Sequence, residues 1–198
     1  MSILKRHTTL LLTLMTTLIA AYLICTCYMD YQYISTVVAT IVAALGIFGV
    51  CIQLKKEADI KEAEFLTEYN FTFLTTEKFV EMEKKLERAR KSGQPINFTE
   101  EDRQNVIDYL VYLESFAPLV LNKMVRLNIV DDLFGYRYFL AINNKEVQKF
   151  ELCPEAEYYR GCFKLYPVWK KYREEHKLAV PLMENSLDKW IDFENYAK

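Results

Sequence analysis

The sequence predicts an all-α protein: a two-helix transmembrane hairpin followed by a cytoplasmic helical bundle. Three observations carry that expectation. Residues 1–54 hold only three formal charges, Lys5, Arg6 and Asp30, whereas residues 55–198 carry 23 basic and 26 acidic ones. Apolar residues in the charged part recur at steps of three and four, the period of a helix with one buried face. The 198-residue chain has five glycines and no convincing alternating run, which leaves little room for a sheet. This distribution excludes a simple soluble globule, a disordered chain and a basic nucleic-acid binder read from net charge. It also speaks against a secreted disulfide scaffold.

The first span is predicted over residues 8–28, where 21 consecutive residues are uncharged, and the second over 34–54, inside an uncharged run of 24. At about 1.5 Å per residue either run makes a helix of roughly 30 Å, enough for a bilayer core. A cleaved signal peptide fits poorly, because the first run is too long and lacks a small-x-small site before a polar sequence. A lipoprotein anchor needs a small residue before its cysteine, but Ile24 precedes Cys25 and Thr26 precedes Cys27. Lys5 and Arg6 flank the first span, and Lys55 and Lys56 follow the second. The positive-inside rule then places both termini in the cytoplasm of a multi-pass inner-membrane protein, with Met29–Tyr33 as a short outer turn. Tyr28, Tyr31 and Tyr33 cluster there, where amphipathic rings prefer the interface.

Small residues form a stripe on each span: Thr13, Thr17 and Ala21 on the first, and Ser35, Ala39, Ala43 and Gly46 on the second. Such stripes let helices approach closely, either within the hairpin or between protomers of a homo-oligomer. Neither span holds an ionisable residue, so neither offers a proton relay or an ion site. Membrane lipid is the first partner expected.

Residues 55–76 read as a charged helical connector with a break over Asn70–Thr76, and residues 77–198 as the bundle. Phe79, Met82, Leu86 and Ala89 recur at helical spacing, and Ser92-Gly93-Gln94-Pro95 ends that helix. Thr99 followed by Glu100, Glu101 and Asp102 starts the next, with acids against the positive end of the dipole. Val106, Leu110, Leu113, Ala117, Val120, Met124 and Leu127 then form a core stripe, which Pro118 kinks or splits. Asp131-Asp132 is expected to restart a helix carrying Leu133, Tyr136 and Leu140, ending near Asn143-Asn144. Pro154, Glu155 and Glu157 open another, with Tyr158, Cys162, Leu165, Trp169 and Tyr172 on one face. A short last helix follows Ser186 and uses Leu187, Trp190 and Ile191.

Signals for chemistry are few. His7 and His176 lie far apart, and eight residues separate Cys153 from Cys162, which is not a zinc spacing. A reducing cytosol makes a disulfide between them improbable. Asn70-Phe-Thr and Asn97-Phe-Thr match glycosylation sequons but face the wrong compartment. No Walker lysine loop, dinucleotide glycine pattern or serine elbow is present. Asp131 and Asp132 fit a helix cap better than an acid pair. The expectation is therefore a non-enzyme with no catalytic residue, metal site or cofactor.

One stretch stands out. Tyr158, Tyr159, Phe163, Tyr166, Trp169 and Tyr172 interleave with Arg160, Lys164, Lys170, Lys171 and Arg173. Rings beside basic side chains would make a partner surface, including one for single-stranded nucleic acid. The same spacing fits an aromatic core face backed by a solvated basic face, and that reading carries more weight.

Two resemblances add to this. The motifs Val106-Ile-Asp-Tyr-Leu-Val-Tyr-Leu-Glu114, Leu127-Asn-Ile-Val-Asp-Asp-Leu-Phe-Gly135 and Trp169-Lys-Lys-Tyr-Arg173 resemble a family of bacterial membrane-anchored helical domains of unknown function. They cover about 60 residues and are packing and turn signals. The layout of two spans and a small helical domain is similar to the two-span effectors of bacterial anti-phage systems, including those paired with retrons. That similarity implies an abortive-infection effector, held silent by an inhibitory partner such as a reverse transcriptase–msDNA complex. On release it would damage the inner membrane. It implies no catalytic residue. The rival expectations are a membrane-tethered scaffold that recruits a cytoplasmic protein, and a nucleic-acid-binding anchor.

Overall fold

The computed structural model describes residues 31–198, together with Ile19 and Tyr22. The described residues are helical, with no strand among them, as the glycine-poor, helix-period sequence leads one to expect. They fall into two compact units, one ending at Lys61 and the other running from Glu62 to Lys198.

Helix α1, Tyr31–Thr75, contains the predicted second span and continues through the charged connector. The break expected over Asn70–Thr76 reduces to the single residue Thr76, after which α2 runs from Glu77 to Ser92. The bundle also begins earlier than residue 77. Leu66 and Phe73 are fully buried, and Tyr69 packs with them on the same side of the helix. The Tyr69 hydroxyl donates to the Tyr112 carbonyl at 3.0 Å, while the Tyr112 hydroxyl donates back to the Tyr69 carbonyl. This reciprocal pair ties the end of α1 to helix α3, Glu100–Glu114.

Local rules place most of the remaining ends. Gly93 ends α2 in the left-handed region (φ 66°), its N–H reaching the Ala89 carbonyl at 2.9 Å. The Asp102 carboxylate accepts from the Thr99 N–H at 3.1 Å and so starts α3 with one otherwise orphaned donor satisfied. Lys85 pairs with that carboxylate, and this contact, reinforced by the Thr99 N–H, holds the Asp102 pKa below its ordinary value. The core stripe is interrupted at Ser115, and α4, Phe116–Leu121, carries Pro118 in its first turn. The ring cannot donate to Glu114 and crowds its carbonyl, so the helix splits there. Val106, Leu110, Leu113, Ala117 and Val120 are buried as the stripe predicts, but Met124 is 68% exposed because the chain has already left the helix.

From Leu127 the chain stays helical through α5 (Leu127–Val130), a wide π turn (Asp131–Gly135) and α6 (Tyr136–Ile142). Asn144 caps α7, Lys145–Val147, by accepting from the Glu146 and Val147 N–H groups, and a second π turn follows at Gln148–Leu152. A 3-10 turn over Ala156–Tyr159 leads into α8, Arg160–Glu175. The last segment contains 3-10 turns at Met183–Asn185 and Leu187–Lys189 and ends in α9, Phe193–Tyr196. There Leu187 is buried and Trp190 packs against the core as expected, whereas Ile191 is 92% exposed and Phe193 is buried instead.

Candidate functional site

Two places in the fold concentrate the predicted functional residues. The first is the apolar part of α1. An 18-residue window within Ser35–Thr75 has a mean hydropathy of 2.4, with none of it buried. Val42, Leu45, Ile47, Phe48, Val50 and Ile52 are all exposed, and their spacing distributes them around the whole helix. A helix apolar on every side needs an apolar surrounding. This is one helix, among the described residues, long and apolar enough to cross a membrane. Ser35, Ala39, Ala43 and Gly46 lie along it and are exposed, and a Cβ added at Gly46 would meet nothing within 4 Å. The matching Thr13, Thr17 and Ala21 of the first span, and the Lys5 and Arg6 that orient it, lie outside the described residues.

The second place is α8, where the structure divides the predicted basic surface. Arg160, Lys164 and Lys171 are exposed on one side of the helix. Lys170 is half-buried and bound at 2.5 Å to Asp188. Arg173 is not on the surface at all. It is buried, with Nη1 donating to Asp131 Oδ1 at 2.9 Å, Nη2 donating to the Ala179 carbonyl at 2.8 Å, and its guanidinium 5.7 Å from the Phe139 ring centre. The aromatic residues divide in the same way. Tyr159, Phe163, Tyr166 and Trp169 are core, and Tyr158 is 76% exposed. The face that would have stacked bases is thus mostly the face that holds the bundle together.

Asp131 corrects a second expectation. It does not cap a helix, because helical structure begins at Leu127 and Asp131 lies inside it. Its carboxylate is buried and accepts from Trp169 Nε1 at 2.6 Å as well as from Arg173, while Asp132 points to solvent. The two acids therefore share no site. Glu151, in the other π turn, is a second buried carboxylate. It takes Arg103 Nη1 at 2.7 Å and the Tyr159 hydroxyl at 3.0 Å. Sequence reasoning missed both nodes. A buried acid announces itself only through its partner, and these partners lie 42 and 48 residues away.

Glu114 is a third enclosed acid, half-buried where the other two are buried. Burial raises its pKa, and the Gly161 N–H that it accepts at 2.7 Å opposes that rise. Burial also drives the Cys162 thiol well above its ordinary value and Cys153 up to about 12, so neither supplies a thiolate nucleophile. No group of three or more His, Cys, Asp or Glu side chains able to hold a metal occurs among the described residues. In comparisons with known proteins, the chain matches no family model, no curated protein and no solved structure.

Proposed function

We propose that the chain is a non-enzymatic inner-membrane effector whose two spans form a hairpin, with both termini in the cytoplasm. The bundle keeps the hairpin silent, and its release lets several copies assemble through the small-residue stripes and perturb the bilayer. The resemblance to anti-phage effectors suggests the setting: abortive infection, with a reverse transcriptase–msDNA complex as the class of restraining partner. The observation that carries this reading is the all-round apolar exposure from Val38 to Leu54. A surface of that kind acts in lipid, and its small residues offer a contact line that bulk would close.

A second reading, a tethered scaffold, is favoured by a different observation. The core from Leu66 to Phe193 lies wholly within the unit Glu62–Lys198, as a self-sufficient recruiting domain requires. One experiment separates the two. Dye-reported membrane potential is followed in cells expressing the native chain, Ala39→Leu with Ala43→Leu, and a chimera with an unrelated two-span anchor, at matched levels. The effector reading expects collapse of the potential with the native chain alone. Full activity of the chimera would replace it with the scaffold.

A further inference from the structure

The bundle has a groove that the membrane reading does not use. One wall is the face of α7 and the second π turn that carries Lys145, Gln148, Lys149 and Cys153. The other is the segment from Glu184 to Trp190. The cavity measures about 330 Å³, at the lower end of the ~300–1,000 Å³ range of small-molecule sites.

The second wall is built of two short 3-10 turns held in place from behind by a buried polar network. Asn143, fully buried, donates to the Pro181 carbonyl at 2.9 Å and accepts from the Leu187 N–H at 3.1 Å and the Tyr166 hydroxyl at 2.8 Å. Ser186 is buried between Tyr166 and Asp188. Gln148 Nε2 bridges the walls, donating to the Ile142 and Asn185 carbonyls at 2.8 Å each. Leu182, which enters this wall, sits at φ 54°, a left-handed conformation unfavourable for a branched side chain. A fully satisfied polar network spent on a strip of short 3-10 turns fixes the shape of that strip.

Charge in the groove runs against the rest of its domain. Residues 62–198 hold 24 acids and 20 basic residues, yet the lining has three lysines and one glutamate. Lys145 and Lys149 are exposed and one helical turn apart, and no carboxylate of the described residues comes within ion-pair distance of either. Lys189 Nζ donates to the Met183 and Glu184 carbonyls at 3.2 and 2.9 Å, which orients the ammonium and leaves a third N–H. Trp190 lines the same groove. Its ring is packed against Tyr196 and Phe163, with centroids at 5.7 and 5.5 Å.

We propose that this groove binds a nucleotide, with phosphates held by Lys145, Lys149 and Lys189 and the base against Trp190. Ammonium groups with no internal counter-ion fit a polyanion, and a fixed indole beside them fits a planar ring. The volume suits one nucleotide rather than a strand. With the Cys153 thiol protonated, the groove binds without forming a covalent bond. This inference is independent of the effector proposal. A nucleotide-responsive bundle serves an effector or a scaffold equally.

The test uses the full chain in lipid nanodiscs. The chain has two tryptophans, and Trp169 is fully buried, so nucleotide quenching of emission reports on Trp190. ATP, GTP, CTP, UTP and inorganic triphosphate are titrated, with calorimetry in parallel. The expectation is saturable binding of at least one nucleotide, tighter than that of inorganic triphosphate. Trp190→Phe should remove the quenching while calorimetry still detects the ligand. Lys145→Ala with Lys149→Ala should weaken binding by roughly tenfold or more, while Lys84→Ala on α2 changes nothing. Circular dichroism confirms that each variant is folded, and Lys149→Glu provides a second exposed variant. Absence of binding at millimolar nucleotide, equal affinity for inorganic triphosphate, or native affinity in the double-lysine variant would each overturn the proposal. None of these results depends on membrane activity, so failure here and failure of the effector reading are distinguishable.

Discussion

Between Val38 and Leu54, the side chains of Val42, Leu45, Ile47, Phe48, Val50 and Ile52 stand outward all round one helix. From Glu62 onward the same residue types turn inward until Leu66, Leu110, Leu113, Phe134, Leu165 and others are fully enclosed. The backbone is α-helical in both regions, so propensity does not distinguish them. What differs is the supply of charge. The longer helices of the bundle, α2, α3 and α8, carry charged residues on the faces opposite their apolar stripes, which gives each of them a side to bury. The stretch before Lys55 has no polar side to offer, and a helix without one is stable only where the solvent itself is apolar.

Four variants bear on that contrast, in falling order of effect. Leu113→Asp buries an unpaired carboxylate in the bundle core. It should cost more than about 5 kcal/mol, comparable with a small domain's whole stability. The variant should lose its cooperative thermal transition yet still sediment with membranes. Asp131→Ala leaves the buried Arg173 guanidinium and the Trp169 N–H without their acceptor. A loss of about 3–5 kcal/mol is expected in denaturant titration. Asp131→Leu combined with Arg173→Met should recover much of that loss, because the isolated charge goes with its partner. Leu45→Arg reverses the contrast. It should cost insertion about 2.5–3.5 kcal/mol, read as a larger soluble fraction, and leave the melting of the bundle unchanged.

The smallest effect is a pH dependence. Burial raises the folded-state pKa of Glu114 above its unfolded value. The fold therefore holds that proton to higher pH than the unfolded chain does, and stability falls as pH rises through the interval between the two values. Glu114→Gln keeps an oxygen for the Gly161 N–H and removes the buried charge. It should raise the melting temperature at pH 7, and the gain should disappear below the ordinary carboxylate range.

Much of the fold was legible in the sequence. Thr99 and Asp102, Gly93, and the stripe Val106–Leu110–Leu113–Ala117–Val120 behave as local rules require, because each is settled by near neighbours in the chain. Leu66 and Phe73 were also readable, seven residues apart on one helical face, but the dense charge around them masked the pattern. The failures sit at and after irregular turns. A π turn adds residues to one revolution, so a count of 3.6 carried across Asp131–Gly135 assigns the wrong face. The 3-10 turn before α8 has a similar consequence: Tyr159 is buried where Tyr158 was expected. Of the candidate partner surface, Arg160, Lys164 and Lys171 remain exposed, whereas Arg173 is claimed by an acid that no spacing rule connects to it. The groove near Trp190 was invisible in the sequence because its walls come from segments about 40 residues apart.

The π turn at Asp131–Gly135 has a consequence for mutational scans. A Cβ at Gly135 would overlap both the Arg173 guanidinium and the Asp131 carboxylate, which are pinned to each other. In a deep mutational scan that position should therefore tolerate nothing but glycine, a profile usually taken as the mark of a catalytic or ligand-touching residue. Here intolerance would record the space needed by two opposite charges, and it should relax in a background where both have been made apolar. A reader of such a scan would be looking at the shadow of an ion pair.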